Sequence, residues 1–302
     1  MGFGFTQSLL YGVIVSSTDP GTHQLYLVSV LTVFTQLGVD IDLHSIILGE
    51  SALNDAVSLV TSHTINDYAS YSRKHMSYGF KGFAKSFGVF LGTLFGSLLC
   101  GAFFGFFNAF LTKATQLRKI PIVETAVFLI LSYSSFLAAE MFGMVGIVSV
   151  LFCAMFQVHY TRNNLSEESK NLADKILQLI CFFFENFLFS YMGITVFVFS
   201  KHIWDIGFII LSFAALMIAR GFTVYALCFL LNIKRTRKIP INFQHVLFFS
   251  GLKGAISFAL AIENTNTPIR RLLFTSSIVL VLITVLVFGG LMSQLISFLK
   301  IP

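Results

Sequence analysis

Charge is what this chain has least of. Asp, Glu, Lys and Arg together make up 11% of its 302 residues, where a soluble globular protein carries roughly 25%. So few charges cannot furnish a water-facing surface of that size, and a soluble fold is excluded. Acidic residues are the scarcer sign, 14 against 20 Lys and Arg, for a formal charge of +6. In so apolar a chain that excess suits loops beside an anionic leaflet, and no nucleic-acid partner is implied. Cysteine is also sparse: Cys100, Cys153, Cys181 and Cys228 lie in apolar runs, form no Cys-x-x-Cys and have no His at zinc-ligand spacing. They are read as packing residues, and neither a metal centre nor a redox pair is expected. The opening Met1-Gly2-Phe3-Gly4-Phe5 carries no basic stretch, so no cleavable leader is expected. Low-complexity tracts and long linkers are missing as well.

What the chain has instead is apolar length, with 56% hydrophobic residues and 36 Phe. Segments of about 20 apolar residues suffice to cross the bilayer as helices. Nine are predicted, near 5–37, 45–66, 86–112, 122–140, 143–160, 175–200, 206–231, 242–262 and 272–298. The expected fold class is therefore an all-α polytopic membrane protein. Loop Lys and Arg residues favour, modestly, a cytosolic C-terminal end. Gly92, Gly96, Gly101 and Gly105 form two small-xxx-small pairs in one span, a pattern that lets a neighbouring helix approach closely.

A charge inside the bilayer is costly, so each one is a functional or ion-pair candidate. The set is Asp19, Glu50, Asp55, Glu140, Glu185, Arg220 and Lys253. Glu124 and Glu263 stand near span ends, where they are expected to reach the interface by snorkelling. In Gly49-Glu50-Ser51-Ala52-Leu53-Asn54-Asp55-Ala56-Val57, Ser51 and Asp55 are four apart and share a helix face flanked by Asn54. Glu50 points roughly 140° away. A hydroxyl, an amide carbonyl and a carboxylate are ligands a hard monovalent cation such as Na⁺ or K⁺ accepts in place of water. A carboxyl withdrawn from water can also take up a proton near neutral pH. The competing reading is a polar cluster that only bonds neighbouring helices.

Two places carry marks of interrupted helices. In Ser16-Ser17-Thr18-Asp19-Pro20 the proline disfavours helix at Asp19, while Thr18 and Asp19 can bind the freed backbone groups. In Gly251-Leu252-Lys253-Gly254-Ala255 two glycines bracket a buried cation. Paired breaks, one early and one late, point to a transporter's midplane site, because half-helix ends offer unpaired backbone dipoles to ions. A pore lined by carboxylates stays open as an alternative. An aspartyl protease would need Asp19 and Asp55 to face one another.

These residues resemble the monovalent cation:proton antiporters, specifically the Na⁺/H⁺ exchangers. The resemblance rests on Ser-Ser-Thr-Asp-Pro at 16–20, Gly-Glu-Ser-Ala-Leu-Asn-Asp-Ala-Val at 49–57, and Phe184-Glu185-Asn186 before Tyr191-Met192-Gly193. It continues through Ile218-Ala219-Arg220 and Gly251-Leu252-Lys253-Gly254-Ala255. The stretch from His159 to Ser166 and the run from Asn242 to Ile262 look most like the organellar, endosomal branch. What this implies is an antiporter fold with broken, crossing helices in one transmembrane exchanger domain over 1–302, lacking the family's first helices. It implies electroneutral exchange of H⁺ for Na⁺ or K⁺ by a homodimer in endosomal, Golgi or plasma membranes, with no cofactor. By the same resemblance Asp55 carries the proton or the metal ion, with Asn54, Ser51, Thr18 and Asp19 completing the site. Glu50 and Arg220 match a buried ion pair, and Glu185, Pro20, Gly251, Lys253 and Gly254 match the broken-helix and core positions. The sequence departs from the family in Lys253 for the usual Arg, in Phe184 for Ala, and in about seven apparently inserted residues near 23–29, about two helical turns. A shortened, transport-inactive isoform that dimerises with a full-length exchanger is the alternative expectation.

Overall fold

The computed structural model describes residues 4–18, 41–75, 80–234 and 238–299. Its helices are α1 (Phe5–Ser16), α2 (Ile41–His75), α3 (Phe80–Ala114), α4 (Pro121–Met141), α5 (Gly146–Phe156), α6 (Glu167–Val198), α7 (Ile206–Lys234), α8 (Ile241–Phe249), α9 (Ala255–Ile262), α10 (Pro268–Ile283) and α11 (Gly290–Phe298). Wider π-helical turns extend α5 over Gln157–Thr161 and join α10 to α11 over Thr284–Gly289. No strand occurs among the described residues. Among the described residues five helices are long and apolar enough to cross a membrane: Ala84–Ala114, Pro121–Met141, Glu167–Val198, Ile206–Lys234 and Pro268–Met292. The chain is an all-α, multi-pass membrane protein. Its outward Phe103, Phe110, Phe222 and Phe229 are exposed, as lipid-facing side chains must be. The span expected at 242–262 is divided into α8 and α9, and that expected at 272–298 into α10 and α11. Asp19, Pro20 and the segment near 23–29 lie outside the described residues.

The chain forms two compact units, Ala56–Phe183 and Met1–Asp55 with Phe184–Pro302. In the first, α3, α4 and α5 pack through small residues. A Cβ on Gly101 would run into the backbone oxygen of Ser149, and one on Gly105 would sit 2.7 Å from Phe156 Cβ. At Gly96 it would lie 2.8 Å from the flexible end of Met144, whereas Gly92 meets nothing within 4 Å. Three of the four glycines therefore serve the close approach, and Gly92 does not. Gly101→Leu is expected to force α3 off α5 and cost about 3 kcal/mol, the upper part of the overpacking range, because backbone cannot yield. Gly92→Ala should leave stability unchanged or slightly higher. Thermal unfolding of the two variants in detergent checks this.

Hydroxyls supply glue in the same unit: Ser135 and Ser149 share a bond of 2.9 Å. Helix α4 begins with Pro121 in its first turn and ends at Gly143, whose φ of +69° is the left-handed closing conformation glycine favours. The Glu140 carboxylate accepts the Gly146 N–H at 2.9 Å, which caps the start of α5. Glu124 differs from its expected snorkelling. It is fully buried and its Oε2 accepts from the Ser166 backbone and from the hydroxyls of Ser166 and Ser169. The reason is local: a carboxylate at the N-terminal end of α6 meets unpaired N–H groups and a favourable dipole. Glu263 is exposed. Cys153 and Cys228 are buried as expected of packing residues, while Cys181 is exposed.

The second unit holds the interrupted helices. Leu43 of α2, Val224 and Cys228 of α7, Val246 and Leu247 of α8 and Met292 of α11 form one buried cluster. Phe258 of α9 meets the ring of Tyr191 of α6 at 5.8 Å and that of Phe274 of α10 at 6.0 Å. These contacts hold both ends of the interruption between α8 and α9.

Candidate ion site at the interrupted helices

Helix α1 stops at Ser16, and Ser17 turns to extended backbone with ψ 127°. The last carbonyls of a helix have no partner within it. Here two side chains supply one: Ser16 O accepts from Asn54 Nδ2 at 2.8 Å and from Lys253 Nζ at 3.3 Å. Asn54 Nδ2 also donates to Thr18 Oγ1 at 2.9 Å. Since a carbonyl only accepts, the nitrogen end of the Asn54 amide must face the break, which leaves Oδ1 as the end available to a ligand. Asp55 follows directly on α2, with Oδ1 withdrawn from the surface. Ser51, one turn earlier on the same face, is buried.

The second break runs through 250–254, between α8 and α9. Buried backbone without a helix must find other partners. Leu252 N–H bonds to Ser250 O at 2.8 Å, and Lys253 N–H bonds to Thr284 Oγ1 at 3.2 Å. The Leu247 carbonyl accepts from Arg220 Nη2 at 2.6 Å. A Cβ on Gly251 would lie 2.5 Å from Arg220 Nε, so only glycine lets the guanidinium lie against the break. Arg220 also grips both oxygens of Glu50, Nη1 on Oε1 and Nη2 on Oε2. On α2, Glu50 stands five residues before Asp55, roughly 140° around the helix from it.

Lys253 is 3% exposed and lies within electrostatic reach of Arg220, Glu50 and Asp55. The structure thus brings together Thr18, Asn54, Lys253 and the end of α1, beside Asp55 and Ser51. Glu50, Arg220 and Gly251 form an adjoining group. Gly254, in extended conformation, precedes α9, and Glu185 stands on α6 with its carboxyl oxygens buried.

Sequence reasoning missed one bridge. The hydroxyls of Ser17 and Ser257 lie 2.6 Å apart, and Ser257 Oγ also reaches Ser17 O at 3.3 Å. These bonds tie the end of α1 to the first turn of α9. The only sequence signal was a hydroxyl just beyond each break. Among the described residues no group of three or more His, Cys, Asp or Glu is placed to hold a metal ion. The hydroxyl, amide and carboxylate oxygens of these residues are hard ligands of the kind a monovalent cation accepts.

Two helix interruptions facing one another through buried polar side chains define the class: a multi-pass membrane protein with broken helices meeting in its interior. Residues 1–297 match the family described as sodium/hydrogen exchanger, transmembrane. Sodium/hydrogen exchanger 9 of Rattus norvegicus is 44% identical over 299 residues, 99% of this chain and 45% of that protein. Sodium/hydrogen exchanger 7 of Homo sapiens is 43% identical, over 99% and 40%. Sodium/hydrogen exchanger 8 of Mus musculus is 34% identical, over 98% and 50%. The chain belongs to the sodium/hydrogen exchanger family. It spans about half or less of the length of these relatives.

Proposed function

We propose that this chain carries the ion-exchanging part of an antiporter that trades H⁺ for Na⁺ or K⁺ without net charge movement. Asp55 holds either the proton or the cation. Ser51, Asn54 Oδ1, Thr18 and Asp19 replace the cation's water. Glu50 and Arg220 hold α2, α7 and α8 in place. Lys253, with Gly251 and Gly254 around it, balances the partial charge at the end of α1. Glu185 and Pro20 are assigned to the supporting core. The observation that carries this reading is the double bond pattern of Asn54, which fixes the nitrogen end of its amide against the end of α1 and leaves its oxygen as the end available to a ligand.

With Asn rather than a second Asp at position 54, one carboxylate alternates between one proton and one cation. Each half-cycle then moves a single positive charge in opposite directions. The working unit is a homodimer of one exchanger domain, in endosomal or Golgi membranes or the plasma membrane, where it regulates compartment pH. Likeness to sodium/hydrogen exchangers 9, 7 and 8 supports the exchange of H⁺ and Na⁺ in that reading.

The test is cation uptake by proteoliposomes under an imposed pH gradient. Uptake of Na⁺ or K⁺ is expected to follow the gradient, to stop when both sides are held at one pH, and to be indifferent to a clamped membrane potential. Flux that persists at equal pH is the behaviour of a pore and overturns exchange. Absence of flux with retained assembly onto a full-length exchanger is the behaviour of a transport-inactive partner.

A further inference from the structure

Away from the interrupted helices, His202 sits in the turn between α6 and α7 with both ring nitrogens engaged. Nε2 lies 3.1 Å from Thr195 O near the end of α6, and Nδ1 lies 2.9 Å from Thr275 Oγ1 on α10. A backbone carbonyl only accepts, so Nε2 must carry a hydrogen. The Thr275 hydroxyl donates to Arg271 O, one turn back, at 2.8 Å. A hydroxyl has a single hydrogen, so once it is committed there Thr275 meets Nδ1 as an acceptor. Three contacts require three hydrogens. A neutral imidazole and a hydroxyl supply two between them, and only the imidazolium completes the set.

The surroundings suit that cation. Its ring stacks on Phe274 with planes 4° apart and centroids at 5.9 Å, and Phe199 and Trp204 approach at 4.9 and 5.4 Å. Aromatic rings of this kind attract a flat cation. Thr275 and Phe274 are buried, so water does not readily replace a missing bond. The charged groups on the packed elements are Lys201 and Asp205 on the same turn and Arg270 and Arg271 on α10. Arg271 is already engaged with the carbonyls of Thr265 and Asn266, and Asp205 caps the Phe208 N–H. The end of α6, residues 190–198, brings no charge.

We propose that His202 is a second proton-binding site, separate from the Asp55 group, whose protonation closes a clasp between the end of α6 and the first turns of α10. Histidine is the ordinary side chain that changes charge between pH 5 and 8. The clasp is complete when the ring is an imidazolium and loses one of its three bonds when the ring is neutral. A proton held there ties the two helices whether or not an ion occupies the interrupted pair.

The experiment is ¹⁵N NMR of the full chain in nanodiscs with ¹⁵N-labelled histidine, scanned from pH 8 to pH 5. His202 is assigned by the resonance lost in His202→Gln. In acid both its nitrogens are expected to carry hydrogens that exchange slowly with water. Backbone exchange over 199–208, corrected for the intrinsic pH effect, should slow by about fivefold, the worth of one hydrogen bond. Thr275→Val should remove that slowing. The inference is overturned if Nδ1 stays without a hydrogen throughout, or if Thr275→Val keeps the same pH dependence. The wild-type spectra alone decide the first point, so a poorly folding variant does not shelter the idea.

Discussion

Arg220→Ala is expected to destabilise the chain by about 3 kcal/mol, the lower end of the ~3–5 kcal/mol found when one partner of a buried ion pair is removed. The lower end applies because the Glu50 side chain is 31% exposed while that of Arg220 is only 11% exposed. The loss has two parts. Glu50 keeps a charge without the partner that gripped both its oxygens, and the Leu247 carbonyl near the end of α8 loses the Arg220 donor and keeps only the Ser250 hydroxyl. Arg220→Lys should recover part of the loss, since an ammonium keeps the charge but cannot bond both carboxylate oxygens and a carbonyl in one plane. Glu50→Gln combined with Arg220→Met should recover more than either single change, because no isolated charge then remains. Thermal unfolding of the four proteins in one detergent makes the comparison. Equal stability of Arg220→Ala and wild type would mean the pair holds nothing together.

The parts of the site set by local pattern were legible in the sequence. Helical spacing placed Ser51 and Asp55 on one face and turned Glu50 away, and the structure pairs Glu50 with Arg220. Two glycines around a buried Lys marked the break at 250–254, because a helix seldom carries that combination through a bilayer. The Na⁺/H⁺ exchanger likeness read from the motifs is the family the comparisons show.

What was not legible depended on which helix stands beside which. Ser17 and Ser257 are 240 residues apart, and neither hydroxyl differs in sequence from one that bonds its own helix. Glu124 looked like a residue near a span end that would reach for water. Only the placement of Ser166 and Ser169 against it shows why it stays inside. The four glycines of α3 read alike, yet Gly92 faces open space because helix contact is a matter of direction as well as size. Nothing in the sequence set His202 apart from the other six histidines, since its partners lie on two other helices.

Asp55→Asn carries the other large expected effect, complete loss of exchange with the fold intact. Asparagine keeps the size of the side chain and an oxygen ligand. It can neither release a proton nor offer a full negative charge to a cation, so neither half of the cycle can run. The bonds of Asn54 and Lys253 to Ser16 do not pass through the Asp55 carboxyl, so thermal stability should stay near that of wild type. The most direct measurement is proton release on cation binding. Purified chain is placed in weakly buffered detergent near neutral pH, and NaCl or KCl is added against an equal concentration of a large organic cation salt. Competition of H⁺ and metal ion for one carboxyl requires wild type to release a proton, approaching one per chain at saturation, and Asp55→Asn to release none. Silence from wild type, or equal release from Asp55→Asn, contradicts it.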